Sequence, residues 1–306
     1  MNAREWALVA FTILTQMSVG SLVVLGVVHY YANRKAGMKE ADRLSDYALL
    51  SVVIVFGLAL MASLFHLGNP LNAPRAVSHV ATSWLSREIL AGVIFGILVL
   101  VFGVMQWRKI GSFGLRNVIA WIAAIVGLVL VFIESNVYML PTEPSWNTLA
   151  TPVTFYTTAL LLGSLAMGVA FVANYAYIQK KDPEGTEVQA NLLRDSLRGI
   201  AVASVVLLGI EFVVIPIYIA YLALGTAASL ASANLMIGPF GLVFVLRLIL
   251  AFVGAGIFGL FLYQSARSAG KERTMSYLAY SAFVLVLVAE VLGRFLFYAA
   301  QVRIGI

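Results

Sequence analysis

Long apolar stretches, separated by short polar segments, make up most of this 306-residue chain. Each is close to or above the roughly 20 residues with which a helix crosses the hydrocarbon core of a bilayer. Backbone polar groups must be satisfied internally in lipid, so such stretches are expected to be helical. The predicted helices cover residues 6–31, 47–66, 88–107, 117–138, 152–178, 199–224, 240–266 and 276–301. The pattern predicts an all-α polytopic membrane protein with eight transmembrane helices in a single integral membrane domain, residues 1–306.

The composition agrees with this pattern. Hydrophobic residues make up 61% of the chain and charged residues 11%, against about 25% charged in ordinary soluble domains. These values exclude a soluble enzyme, a nucleic-acid-binding domain and a disordered chain. There is no cysteine, which excludes disulfides, cysteine nucleophiles and iron–sulfur clusters ligated by this chain.

The basic residues predict the orientation. Of 20 lysines and arginines, 14 lie in the loops after helices 1, 3, 5 and 7, whereas the loops and termini on the other side hold four, Arg4, Arg75, Arg87 and Arg303. Cytoplasmic loops carry the basic excess in membrane proteins, so both termini are expected outside. The expected location is the cytoplasmic (inner) membrane of a bacterium or archaeon.

Local signals refine the helix ends. Ser86 is expected to cap helix 3, Thr151 and Pro152 to open helix 5, and Pro239 to precede helix 7. The connection 225–239 is too short to span and is interpreted as interfacial or re-entrant. Residues 87–91 (REILA) resemble residues 247–251 (RLILA), which suggests two four-helix halves in parallel topology, although coincidence explains five positions equally well.

Ionisable residues within the predicted helices are costly and need an explanation. Most lie towards the outer side, and Glu211 lies near the middle of helix 6; the outer group comprises His66, Arg87, Glu88, Glu134, Arg247, Glu290 and Arg294. Each has a structural alternative, because Arg247 can pair with Glu211 or Glu134, and Glu290 can pair with Arg294 four residues later. Pro216 removes one helical hydrogen bond beside Glu211, which predicts either a cavity or a simple bend. The clustering favours a shared site.

The histidines argue against haem. A bis-histidine haem needs two histidines at matching depth, and the sequence has three in all. His29 is expected at the inner end of helix 1, His66 at the outer end of helix 2 and His79 in an outer loop. No bis-histidine pair follows, although a His/Met ligand pair remains open. No metal site is predicted.

Two motifs carry a family resemblance. Residues 64–70 (LFHLGNP) and 85–89 (LSREI) resemble the dimethyl-sulfoxide reductase membrane anchor family. The similarity extends to the amino-terminal residues 5–12, to the loop of Pro141 and Trp146, and to residues 290–298 (EVLGRFLFY) in helix 8. It covers essentially the whole sequence. One departure is Asn72, where some members have a basic residue; Arg75 is the expected substitute.

The resemblance implies a haem-free anchor that oxidises menaquinol and passes electrons to an iron–sulfur partner with [4Fe-4S] clusters. That partner would be bound to a molybdopterin catalytic subunit, which would hold the terminal chemistry. In the family, the histidine and glutamate that match His66 and Glu88 are associated with quinol oxidation. Arg75, Arg87 and Glu134 complete the expected quinol-binding set, with Glu211, Arg247, Glu290 and Arg294 as ion pairs or a relay.

The residues themselves suit this chemistry. Histidine has an ordinary pKa of about 6.5, so His66 can accept a proton near neutrality. Glu88 is expected at similar depth and can relay that proton outward. Two alternatives remain: a secondary transporter or ion channel, which buried acids and a broken helix also fit, and a related anchor that reduces quinone with electrons from substrate.

Overall fold

The computed structural model describes residues 3–66, 77–182 and 186–305. Within these ranges all regular elements are helices: α1 (Ala3–Ala36), α2 (Met38–His66), α3 (Trp84–Arg108), α4 (Phe113–Tyr138), α5 (Ala150–Lys181), α6 (Thr186–Ala223), α7 (Ala227–Ile237), α8 (Gly241–Ser265) and α9 (Glu272–Ala299), with a short 3₁₀ turn at Val77–His79. Eight of them, all except α7, are long and apolar enough to cross a membrane. The predicted fold class is therefore confirmed.

The helices begin and end differently from the sequence prediction in several places. Ser83, not Ser86, caps α3, and its hydroxyl accepts a hydrogen bond from the Ser86 backbone amide at 3.3 Å. The α6 helix starts at Thr186 rather than at residue 199, because its polar first turns pack on other helices: Gln189 is buried and donates to Glu40. Residues 225–239 contain α7, an 11-residue helix.

The centre of the bundle is the crossing of α1 and α5, the two most enclosed of the long helices. A Cβ built on Gly20 would lie 1.8 Å from the carbonyl oxygen of Ala159, and one on Gly163 would lie 2.2 Å from the carbonyl carbon of Gly20. Small residues allow helices to approach this closely in membranes, where packing rather than the hydrophobic effect drives association. The other helices pack around this pair: α2 on α1, α6 and α9 on α5, α3 on α4, and α8 on α9.

One end of the bundle holds both described ends of the polypeptide, and we call it the terminal end. Trp6 of α1 stacks on Phe295 of α9 with ring centroids 5.8 Å apart. The backbone amide of Ile304 donates to the carbonyl of Thr142, in the α4–α5 connection, at 3.0 Å. The α4–α5 connection and the C-terminal residues therefore cover the same region.

The other end, here the basic end, carries the loops rich in lysine and arginine. Lys109 at the end of α3 contacts two acids of α2, Asp42 at 2.9 Å and Asp46 at 2.8 Å. The side-chain amide of Gln106 also donates to both carboxylates. The loop charges that predict orientation thus also tie helices together, which the sequence pattern alone did not reveal.

Candidate functional site

A buried polar network crosses the bundle near the terminal end, with Gln16 of α1 at its centre. The Gln16 amide nitrogen donates to Oε2 of Glu134 on α4 at 2.9 Å, and its oxygen accepts from Arg294 of α9 at 2.8 Å. Gln16 and Glu134 are completely buried, and Arg294 is 5% exposed. A single neutral amide therefore joins an acid and a base that lie on different helices.

Glu88 extends this network on its α3 side. It lies in the second turn after the Ser83 cap, is 7% exposed, and is close enough to Glu134 for their charges to interact. The other carboxylate oxygen of Glu134, Oε1, has no hydrogen-bond partner among the described residues. Burying such an atom costs about 1–3 kcal/mol unless a ligand or water satisfies it. Two carboxylates therefore lie near each other in the buried network, and one oxygen of Glu134 has no partner among the described residues.

An aromatic cluster encloses the same region. The Arg294 guanidinium lies over the Phe155 ring, 3.8 Å from its centroid, a contact worth about 2 kcal/mol when desolvated. Trp146 stacks on Phe297 at 5.2 Å and donates its indole N–H to the Phe297 carbonyl at 2.7 Å. The rings fix Arg294 and fasten the α4–α5 connection to α9.

The remaining intramembrane charges, on α6, α8 and α9, form a second group together with one threonine of α5. Arg247 of α8 forms an ion pair with Glu211 of α6, one of the two pairings that the sequence left open. Glu290, 3% exposed, accepts a hydrogen bond from Thr158 of α5 at 2.6 Å. Glu290 and Arg294, which the sequence allows to pair, form no ion pair within 4 Å: Arg294 donates to Gln16, and Glu290 accepts from Thr158.

A cleft of about 700 Å³, including its mouth, opens beside this second group. Its lining is mostly apolar, with Arg247, Glu290 and Arg294 as its charged members. The α6 residues of the lining flank Pro216, which lies inside a helix that continues to Ala223. The α8 helix contributes Phe244 and Arg247 to the lining and becomes π-helical further along, at Phe252–Phe258, a distortion often found near functional sites.

The other predicted quinol-site residues have different outcomes. Arg87 holds the preceding turn, donating to the carbonyls of Val80 at 2.8 Å and Ala81 at 2.7 Å and lying over the Trp84 ring. That role is structural in the described part of the protein, and it differs from the ion pair of Arg247, its counterpart in the five-residue repeat. Arg75 and the side chain of His66 lie outside the described residues.

The two histidines whose side chains are described take no part in these networks. His29 lies at the basic end, hydrogen-bonded with Ser45 at 3.0 Å, and His79 lies in the turn before α3. No group of three or more His, Cys, Asp or Glu in the described ranges is arranged to hold a metal ion.

Sequence reasoning missed the uncharged members of these two groups, Gln16 and Thr158. A signal for Gln16 was present, because residues 12–18 of α1 contain four polar residues that the structure buries: Thr12, Thr15, Gln16 and Ser18. Buried polar side chains on one membrane helix indicate contacts with other helices. Their partners, however, are far away in the sequence.

Comparison with known proteins places these observations in a family. The model for the DMSO reductase anchor subunit (DmsC) family matches residues 1–300. An anaerobic dimethyl sulfoxide reductase chain from Escherichia coli (strain K12) is 26% identical over 99% of this sequence and 96% of its own length. Its namesake from Haemophilus influenzae (Rd) is 28% identical over 98% and 96%. A sulfite dehydrogenase subunit from Allochromatium vinosum is 34% identical over 32% of each sequence. The protein belongs to the DMSO reductase anchor subunit family.

Proposed function

We propose that this protein is the membrane anchor of a molybdopterin oxidoreductase complex and oxidises menaquinol for an iron–sulfur partner subunit. Oxidation of one quinol releases two electrons and two protons. The electrons leave for the partner's clusters, and the protons leave on the outer side. The anchor itself binds and deprotonates the quinol, while the terminal substrate is reduced in another subunit.

The observation that carries the proposal is the buried pair of acids, Glu88 and Glu134, beside a single fixed arginine. Gln16 joins Glu134 to the Arg294 guanidinium, and Glu88 lies close enough to Glu134 for their charges to interact, so the group contains one more acid than base and can hold a proton. The unpartnered Oε1 of Glu134 is an acceptor for a ligand hydroxyl. His66, which ends α2, is the proposed first proton acceptor, and Glu88 passes the proton outward.

The first experiment tests the partners. The full-length protein, expressed with its native complex and purified by an affinity tag, is expected to bring down subunits that contain molybdenum and iron. The metal content of the eluate measures this directly. Isolation of the protein alone or as a homo-oligomer would instead favour the transporter or channel alternative.

The second experiment tests the site in the assembled complex. Glu88→Gln and Glu134→Gln are expected to lower the turnover of quinol by about 10²-fold, the usual contribution of a general base. Turnover with an artificial donor that reduces the partner subunits directly should be unchanged, which shows that the complex still assembles. Glu272→Gln, at the basic end, is the matched control. Normal quinol turnover in both variants would exclude these acids.

A second candidate reverses the electron flow, so that electrons from the substrate reduce a quinone. The partial similarity to a sulfite dehydrogenase subunit favours it. The direction is measured by supplying the purified complex with quinol plus an oxidant or with quinone plus a reductant, and by comparing initial rates. Faster quinone reduction would select this second candidate.

A further inference from the structure

We propose that the groove between α1 and α6 at the basic end binds an anionic phospholipid, with the phosphate at its mouth and an acyl chain inside. Both helices pack on α5 but touch each other at few residues, so a space remains between them. Its volume of about 650 Å³ lies in the range of small-molecule sites. The proposal does not rest on the proposed function, because Glu88 and Glu134 are absent from the lining.

The walls of the groove are apolar. Its α1 wall consists largely of Val23, Val24, Val27 and Val28, and its α6 wall includes Ile200, Val202 and Ala203. Val27 and Val202 are exposed on the outer surface of the bundle. A Cβ built on Gly199 would meet no atom within 4 Å, so the backbone of α6 itself borders the open space. An acyl chain can therefore enter the groove directly from the bilayer.

Two basic side chains and one acid lie at the mouth of the groove. Lys35 of α1 forms an ion pair with Asp195 of α6, and Arg198, one turn further along α6, lies 3.6 Å from the same carboxylate. Tyr31 of α1 donates to Asp195 as well, at 3.1 Å. Among the described residues, Asp195 is the acid with which both cations pair, so the mouth carries one net positive charge.

Both cations can be reached by a ligand. The side chains of Lys35 and Arg198 are 46% and 43% exposed. Lys35 lies 5.7 Å from the centroid of the Tyr31 ring, and Arg198 lies 5.8 Å from that of Tyr263. These two tyrosines line the groove, and tyrosine is enriched at the level of the lipid headgroups. The positive charge is thus held where the apolar walls meet the polar interface.

The charge at the mouth favours a head with one net negative charge. The two free oxygens of a phosphodiester can accept hydrogen bonds from Lys35 and Arg198 together. Basic pockets between membrane helices are known to bind anionic head groups. A zwitterionic head brings a cation of its own to a mouth that is already positive, and inorganic phosphate has no chain to cover the apolar walls. The groove therefore fits a lipid of the phosphatidylglycerol type.

The first arm of the test measures lipid binding to the full-length protein in detergent by native mass spectrometry. Phosphatidylglycerol is expected to be retained more tightly than phosphatidylethanolamine with the same acyl chains. Arg198→Gln and Lys35→Gln should each weaken phosphatidylglycerol binding about fivefold, the usual effect of one basic side chain at a membrane surface. Lys180→Gln makes the same change in charge on an exposed residue outside the lining and should have little effect.

The second arm locates the acyl chain. Phosphatidylglycerol with a photoreactive group in its acyl chain, incorporated in nanodiscs with the protein, is expected to label peptides from residues 23–31 and 198–203. Gly199→Phe should suppress this label, because the new ring occupies the groove. Gly209→Phe is the matched control on the same helix, since a Cβ there also meets no atom within 4 Å and Gly209 is outside the lining.

Each arm can overturn the proposal by itself. Equal retention of the two lipids, or phosphatidylglycerol binding that neither cation variant weakens, would exclude the anionic head at this mouth. Label absent from the groove peptides, or unchanged by Gly199→Phe, would exclude the groove as the site of the chain. Displacement of the lipid by an equal concentration of inorganic phosphate would show a free anion site instead. Glu88→Gln should leave both readouts intact, so failure of the proposed function is distinguishable from failure of this site.

Discussion

Gln16 donates a hydrogen bond of 2.9 Å to Glu134, although the two residues are 118 positions apart in the sequence. The same amide accepts from Arg294, so it joins α1 to α4 and α9 at once. A neutral side chain in one of the two most enclosed helices thus determines how an acid and a base of the site are held.

Replacing Gln16 by leucine should destabilise the protein. Glu134 loses a donor and Arg294 loses an acceptor while both stay buried, at a cost of about 1–3 kcal/mol. We expect the midpoint of thermal unfolding in detergent, followed by circular dichroism, to fall by several degrees. Gln179→Leu makes the same change on an exposed surface of α5 and should have little effect. An equal midpoint for the two variants would contradict the bridging role.

The α1–α5 crossing should not tolerate a methyl group. Gly163→Ala would place its Cβ 2.2 Å from the carbonyl carbon of Gly20, so one helix must move. Overpacking of this kind costs about 1–3 kcal/mol and lowers the yield of folded protein. Gly92→Ala, where a Cβ meets no atom within 4 Å, is the matched control and should be neutral or slightly stabilising. Size-exclusion profiles and unfolding midpoints of both variants measure the difference.

Replacing only one member of the Arg247–Glu211 ion pair should strongly lower the free energy of unfolding. Arg247→Met or Glu211→Leu alone leaves a buried partner without its counter-charge, which costs about 3–5 kcal/mol. The double variant removes both charges and should recover much of that loss. A double-mutant cycle on unfolding free energies checks this, and additive single effects would show that the two side chains act independently.

The absence of cysteine allows a direct test of orientation. Leu149→Cys lies in the α4–α5 connection at the terminal end, where the native side chain is 79% exposed. Lys180→Cys lies at the basic end. If the positive-inside rule holds, a membrane-impermeant maleimide should label the first variant in intact cells and the second only after permeabilisation. The reverse pattern would place both termini inside.

Local hydropathy was enough to predict the membrane class, the number of long helices and the approximate position of each. The reason is that every spanning helix must satisfy its own backbone in lipid. The predicted helix ends were less accurate. The polar first turns of α6 were interpreted as a loop, yet Gln189 is helical and buried because it packs on α2. The two motifs around His66 and Glu88 also indicated the family, which the family model over residues 1–300 confirms.

Only the packed helices show which partner each charged side chain contacts. The sequence offered Glu290 and Arg294 as an i, i+4 pair, but the packing of α9 on α5 and α1 gives them Thr158 and Gln16 instead. Likewise the packing separates Arg87, which fastens a turn, from Arg247, which pairs across two helices. The rotation of each helix about its axis and the close approach at Gly20 depend on the contacts of all the helices together. The local sequence shows that a charged side chain is buried at a cost in free energy, whereas the partner that offsets this cost lies on another helix.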